Sequence, residues 1–454
     1  MPEDSYFANK QNRNKMPILI LIAGLIILIL LTVYVKIDAF ISFLIVAILV
    51  GLAGGMDPLK ISSSIERGIG STLGSLAIIL GFGAMLGKIV ADSGAAQRIS
   101  VTFIEKFGSG NAQWALMVAG FLIGVPLFYS VGFVLLVPLV CTIAFRTKTP
   151  VIFLGMPMIT ALSVTHCILP PHPAPAALVQ QLGADMGQTI MWGTLMSIPM
   201  LLVAGPLFSK TLKNIKSNPL DAFFDKRELK KEEMPGFGIS LFTALFPVLL
   251  MVASSAAKQW EMKEGVLLSI LNFAGDPTMA LVLAVLLAMY TLGIRQGKKI
   301  PGITASMVEG IKSIVMIMLV IAGAGALKEV LTDTGLNSYL ADILKNINVS
   351  PVILGWGMAA LIRIAIGSAT VAGLTTAGII APLMIQTGAN PVIMVLAVGS
   401  GSIIFSHVND SGFWLFKEYF NLSIWDTIRT WSFMETILSV CGLIVVLILN
   451  LFIS

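Results

Sequence analysis

All three histidines of the chain fall in two short segments that cannot be continuous helix. His166 and His172 stand in LSVTHCILPPHPAPAALV (162–179), where Pro170, Pro171, Pro173 and Pro175 remove the N–H donors that a helix needs. His407 stands in GSGSIIFSHVNDSGFWLFKEY (399–419), followed by Asn409, Asp410 and Ser411, residue types that favour caps and turns over helix interiors. Broken backbone exposes helix ends, and a helix N-terminus attracts anions through its free N–H groups and dipole. Histidine titrates near about pH 6.5 and can take up or release a proton at ordinary pH. Asp410 could share that task only in a desolvated setting. The chemistry on offer is anion recognition with titratable groups beside it, and if a proton is carried as well, Asp410 and His407 are the coupling candidates. The competing reading is a structural kink whose polar side chains bond neighbouring helices, and the recurrence of the pattern at two places weighs against it.

Small hydroxyl residues form two more sets, Tyr129 and Ser130 within FYSVG (128–132) and Gly367, Ser368 and Thr370 within GSAT (367–370). They allow close backbone approach and supply donors to a polyol or carboxylate, although small residues also serve tight helix packing in membranes. Arg363 interrupts the apolar run WGMAALIRIAIGSAT. An arginine at membrane depth costs about 2.5–3.5 kcal/mol on insertion scales and so marks a functional candidate, with snorkelling or a structural acid as the alternative. Lys88 and Asp92, and Lys328, Glu329 and Asp333, fall where spans end and amphipathic segments begin, and read as connecting arms. His166 and His172 are six apart with prolines between, which matches no standard zinc spacing, and neither HExxH nor a phosphate-binding loop occurs. No metal, cofactor or catalytic constellation is expected, and the chain does not read as an enzyme.

The elements that position these residues follow from composition. Of 454 residues 56% are hydrophobic and 12% charged, half the roughly 25% charged of a soluble domain. That excludes a soluble enzyme, a disordered chain and a nucleic-acid binder. Cys141, Cys167 and Cys441 are odd in number and lie in apolar tracts, so no disulfide scaffold is expected. A crossing takes about 20 apolar residues; tracts of that kind run over 16–35, 39–54, 71–90, 151–168, 189–207, 239–257, 278–294, 308–327 and 431–453. Between them lie apolar but interrupted segments, which survive in a membrane only where protein or a watery cavity satisfies the backbone. Two read as hairpins, 111–146 and 351–386, and two as broken helices, 151–180 and 391–418. The polar tail 1–15 precedes the first span. The basic linker 209–236 is placed in the cytoplasm by the positive-inside rule, which sets the N-terminus outside.

The halves repeat at an offset of 241 residues. GAMLGKIVADSG (83–94) faces AGALKEVLTDTG (324–335), and the same offset carries His166 onto His407. VPLFYSVGFVLLVP (125–138) and IGSATVAGLTTAGIIAP (366–382) pair with a slip of three, as do QTIMW (188–192) and DTIRTW (426–431). Five crossings and a re-entrant hairpin per half, over 16–208 and 237–454, would invert one repeat against the other. Paired, interrupted segments in inverted repeats point to a secondary transporter's site near the midplane. The fold class is therefore an all-α polytopic membrane protein with about ten crossings and two hairpins.

LPPHP (169–173), LIRIAIGSATVAGLTTAGIIAP (361–382) and SHVNDSGFWLFKEYFNLS (406–423) resemble the gluconate:H⁺ symporter (GntP) family of the ion-transporter superfamily, and the resemblance covers nearly the whole chain. It implies an elevator-type homodimer in the lipid of the bacterial inner membrane, importing gluconate or a related sugar acid with protons. It also implies a carboxylate held among the 368–370 tip, the unwound 166–172 backbone and the 407–411 segment. The chain departs from the family at Ser130, where an acid often follows the aromatic pair, and at Ala174 in place of glycine. Ser130 leaves open sodium in place of protons, or a D-amino acid such as D-serine in place of a sugar acid.

Overall fold

A computed structural model describes residues 16–217, 229, 232–259, 265–335, 349–408 and 410–453. The tail 1–15, much of the basic linker, the amphipathic stretch after Gly335 and Asn409 lie outside the described residues. What is described is helical, with no strand.

The first half runs α1 (Met16–Ile29, prolonged by a π-turn over Leu30–Tyr34), α2 (Ala39–Ala53), α3 (Pro58–Asp92), α4 (Ala95–Phe107), α5 (Ala112–Gly124), α6 (Tyr129–Thr147), α7 (Val151–Ile168), α8 (Pro173–Leu182) and α9 (Met186–Leu202, prolonged over Val203–Leu207). The second runs α10 (Phe237–Gln259), α11 (Val266–Ala274), α12 (Pro277–Ala288, prolonged over Met289–Gly293), α13 (Ile300–Lys312), α14 (Val315–Asp333), α15 (Pro351–Ile366), α16 (Ala369–Thr387), α17 (Pro391–Gly401) and α18 (Ser411–Tyr419). It closes with α19 (Ile424–Thr427), a π-turn over Ile428–Ser432 and α20 (Phe433–Ile453). Several starts are written locally. Asp57-Pro58, Asp276-Pro277 and Asn390-Pro391 each place a carbonyl side chain that accepts an N–H of the first turn, with a proline at a position that needs no donor.

Among the described residues seven helices are long and apolar enough to cross a bilayer, or eight when the bent α3 counts as one span. This is fewer than the ten crossings read from the sequence. The reason is length: Leu19–Thr32, Ala39–Ala53 and Pro391–Gly401 are apolar but short, while Ala369–Thr387, read as a hairpin arm, qualifies. The breaks are short. Residues 125–128 join α5 to α6 and 367–368 join α15 to α16, while 169–172 interrupt α7 and α8, and 402–410 interrupt α17 and α18.

The long α3 and α14 pack together through their backbones. A Cβ on Gly68 would meet the Gly325 carbonyl oxygen at 2.5 Å and the Ala326 Cα at 2.7 Å. At the ends of the same helices the two aspartates of the repeat bind across to the other half. Asp333 accepts from Ser64 and Arg67, each at 2.5 Å. Asp92 accepts from Ser306 at 2.5 Å and pairs with Lys88 at 3.1 Å. Replacing Gly68 by Ala should lower the melting temperature of the purified protein, by an overpacking cost of about 1–3 kcal/mol. The control is Gly70→Ala, since a Cβ on Gly70 meets nothing within 4 Å. Equal melting temperatures for the two variants would refute the close crossing.

Candidate functional site

The 125–128 and 367–368 turns, the end of α7 and the 402–410 break meet around one cavity of about 660 Å³. Its wall includes Phe128, Tyr129, Ser130 and Val131 from the 125–128 turn and α6, and Gly367, Ser368, Ala369 and Thr370 from the 367–368 turn and α16. His166 of α7, Arg363 of α15, Asp410 before α18, and Trp431 and Glu435 of the last helix complete it.

Arg363 sits in the last turn of α15, 3% exposed. Its guanidinium donates to the carbonyl of Gly367, the residue that closes the helix in the left-handed region (φ 84°), and to Asp410 at 2.5 Å. A side chain at Gly367 would be strained by that φ. Asp410 is held further by the Ser406 hydroxyl and by the Gly412 N–H at 2.9 Å. Ser406 in turn accepts from the Trp431 indole at 2.8 Å, and its carbonyl accepts from Ser432. One chain of bonds thus runs from the 367–368 turn through the 402–410 break to the π-turn of the last helix.

Four helix N-termini bear on this region and differ in what caps them. The first turn of α16 is capped by Ser368, which accepts from Val371 N–H, and that of α18 by Asp410, which accepts from Gly412 N–H. Residue α8 begins after His172 without a side-chain cap, but its Pro173 and Pro175 carry no N–H. The first turn of α6, at Tyr129 and Ser130, has no side-chain cap and faces the cavity. Its open N–H groups and dipole give this helix start the capacity to attract an anion. The Tyr129 hydroxyl and the His166 Nδ1 are buried without a hydrogen-bond partner, as is the Arg363 Nε. These are donors and acceptors left over for a ligand.

Of the residues read from the sequence, the structure brings Tyr129, Ser130, His166, Arg363, Gly367, Ser368, Thr370 and Asp410 to the cavity wall. His172 lies behind it: its Nε2 donates to the Gly124 carbonyl at 2.6 Å and its ring meets those of His166 and Phe128 edge-on at 5.3 and 6.0 Å. His407 turns instead to the Ile364 carbonyl, 2.9 Å from its Nε2, and is not part of the wall. Ser411 opens α18, and Asn409 lies outside the described residues. The sequence reading passed over Glu435, Ser163 and Trp431. A signal existed, since Glu435 is an acid within the apolar tract 431–453. Among the described residues no group of three or more His, Cys, Asp or Glu could hold a metal.

A second cavity of about 610 Å³ shares Phe128, Ser130, Val131 and Ser313 with the first and reaches Lys88, Asp92 and Glu309. Beyond Asp92, Gln97 and Arg98 donate to the carbonyls of Leu229 and Pro235. The combined space therefore leads toward the end of the molecule that carries the basic linker.

The model of the GntP family permeases matches residues 16–452. The chain is similar to the high-affinity gluconate transporter of Escherichia coli K12, 50% identical over 436 residues, covering 96% of this chain and 100% of that protein. It is 47% identical over 435 residues to the Gnt-II system L-idonate transporter of the same organism, covering 96% of this chain and 99% of the relative. Among solved structures it is similar to the Alcanivorax borkumensis YdaH transporter, with a TM-score of 0.65 at 15% identity over 91% of this chain and 98% of that one. At that identity the likeness shows the fold alone.

Removing one partner of a buried ion pair costs about 3–5 kcal/mol because the other charge is stranded. Asp410→Asn and Arg363→Met should each lower the melting temperature and abolish uptake. The double variant should recover much of the melting temperature but no uptake. Additive loss of stability in the double variant would show that the two side chains do not act as a pair.

Proposed function

Since the chain belongs to the family of GntP permeases, we propose that it is a secondary active symporter importing gluconate or a related small sugar acid with protons across the bacterial inner membrane. It is a multi-pass membrane transporter and not an enzyme. The observation that carries the substrate reading is the uncapped start of α6 at a cavity lined by hydroxyls. In this reading the substrate carboxylate lies at the Tyr129–Val131 turn, where N–H groups and helix dipole face it. The hydroxyls of Ser130, Ser368 and Thr370, with His166, serve the polyol chain. Arg363, already bound to Asp410 and Gly367, fixes the second turn and adds positive potential. The names of the relatives, a gluconate and an L-idonate transporter, agree with a six-carbon sugar acid.

The order of elements supports two inverted repeats. In each half a helix pair with a short turn is followed by a broken helix and a final helix. In an elevator the 367–368 turn and the 402–410 break, joined by the Arg363–Asp410–Ser406–Trp431 chain, would travel with their first-half counterparts, which the His172–Gly124 bond links, against the crossing of α3 and α14. The cavity's continuation toward the linker side would then be its exit to the cytoplasm.

In proteoliposomes, labelled gluconate should undergo counterflow that idonate and other sugar acids inhibit and glucose does not. Ser130→Ala and Thr370→Val should each raise the apparent KM about tenfold, roughly the worth of one hydrogen bond to a charged or polar ligand group, with insertion unchanged. Equal inhibition by glucose would remove the anion site, and an unchanged KM in both variants would remove these hydroxyls from it.

A further inference from the structure

Glu435 has no role in substrate recognition as read above, yet it stands on the cavity wall, 2% exposed. It follows Trp431 by one turn, directly after the π-turn Ile428–Ser432; such bulges are frequent at functional sites. Its Oε1 accepts from the Ser163 hydroxyl at 2.6 Å, and it forms no ion pair among the described residues. The cation of the cavity, Arg363, is bound to Asp410 and to the Gly367 carbonyl.

The groups facing Glu435 can be named element by element. Helix α7 contributes Ser163, His166 and Cys167, α15 contributes Arg363, α6 contributes Tyr129, and the 402–410 break contributes Asp410. Helices α9 and α17 also pack against α20 but carry no titratable residue. A carboxylate here has one hydroxyl donor in place of its water shell and no cation of its own, which is costly; the neutral acid incurs no such cost. Asp410 is the opposite case, an acid bonded on every side and needed charged to hold Arg363.

We propose that Glu435 is the carboxyl that carries the coupling proton. This rests on the reading of the chain as a sugar-acid symporter. A proton passes from cavity water to a Glu435 oxygen, crosses with the substrate, and returns to water on the other side; no other bond is made or broken. Coupling follows from charge. An incoming carboxylate and an ionised Glu435 would repel across one cavity, so anion and proton occupy it together. A sodium ion is a poorer fit, because a metal cation takes several oxygen ligands, and Ser163 is the one further oxygen bound to this carboxyl.

The test uses the full chain in proteoliposomes. Glu435→Gln, which mimics the neutral acid, should keep gluconate counterflow, slowed by less than about tenfold, and lose accumulation driven by an inward proton gradient. Glu435→Asp should keep accumulation in part. Gluconate accumulation by Glu435→Gln equal to that of the unaltered protein would overturn the proposal, as would accumulation that requires sodium at constant pH. Absence of any gluconate counterflow in the unaltered protein would instead defeat the sugar-acid reading. Should Glu435→Gln fail to insert, dicyclohexylcarbodiimide labelling of the unaltered protein decides, since the reagent attacks neutral carboxyls in apolar surroundings. Peptide mass spectrometry should find the adduct on Glu435 and not on Asp410, and no adduct on Glu435 between about pH 6 and 8 would overturn the proposal.

Discussion

The buried pair of Arg363 and Asp410 is the interaction on which the site depends. Burying two charges is expensive, and their attraction offsets that only when the geometry is good and the remaining valences are bonded. Here they are. The arginine also closes α15 through the Gly367 carbonyl, and the aspartate also caps α18 and takes the Ser406 hydroxyl. A helix end on one segment and a helix start on another are therefore fixed by the same pair. The indole of Trp431 extends the bonding to the last helix. Without the pair, the 367–368 turn and the 402–410 break would each have to find other partners for unpaired backbone inside the membrane.

The repeated sequence makes the cavity symmetric in its elements, and the caps make it asymmetric in its chemistry. Ser368 and Asp410 use their side chains on the N–H groups of the second half. In the first half Phe128 offers no such side chain, and the prolines after His172 have no donor to give. The capacity to hold an anion is left at the start of α6. The two sequence repeats thus differ in which helix starts keep open N–H groups.

Much of this was legible before any coordinates. Low charge and long apolar tracts identify a polytopic helical protein. Prolines 170–175 and the Asn409–Asp410 pair show where helices stop, and Arg363 shows itself by its charge among apolar neighbours. What was not legible depends on direction rather than type. His172 and His407 have the right chemistry, but one ring turns to the Gly124 carbonyl and the other to that of Ile364, and sequence spacing does not report which way a ring turns. Glu435 carries the same signal as Arg363, a charge within an apolar tract, but it lies near the start of 431–453, where an acid also fits the end of a span. Fewer described helices have the length of a full span than the apolar tracts suggest, because apolar composition does not fix where a helix begins, and α1, α2 and α17 are short.

The bonds made by Asp92 and Asp333 bear on how such a chain is assembled. Asp333 accepts from Ser64, and Asp92 accepts from Ser306, so each half supplies the hydroxyl that the other half's helix end requires. Gly68 and Gly325 bring the same two helices to backbone contact. Neither half closes on itself. Within its own half Asp92 has Lys88 as a partner, and the Ser306 hydroxyl that completes it is supplied only by the second half. The two halves are therefore interlocked at both helix ends, each by a hydroxyl that only the other half carries.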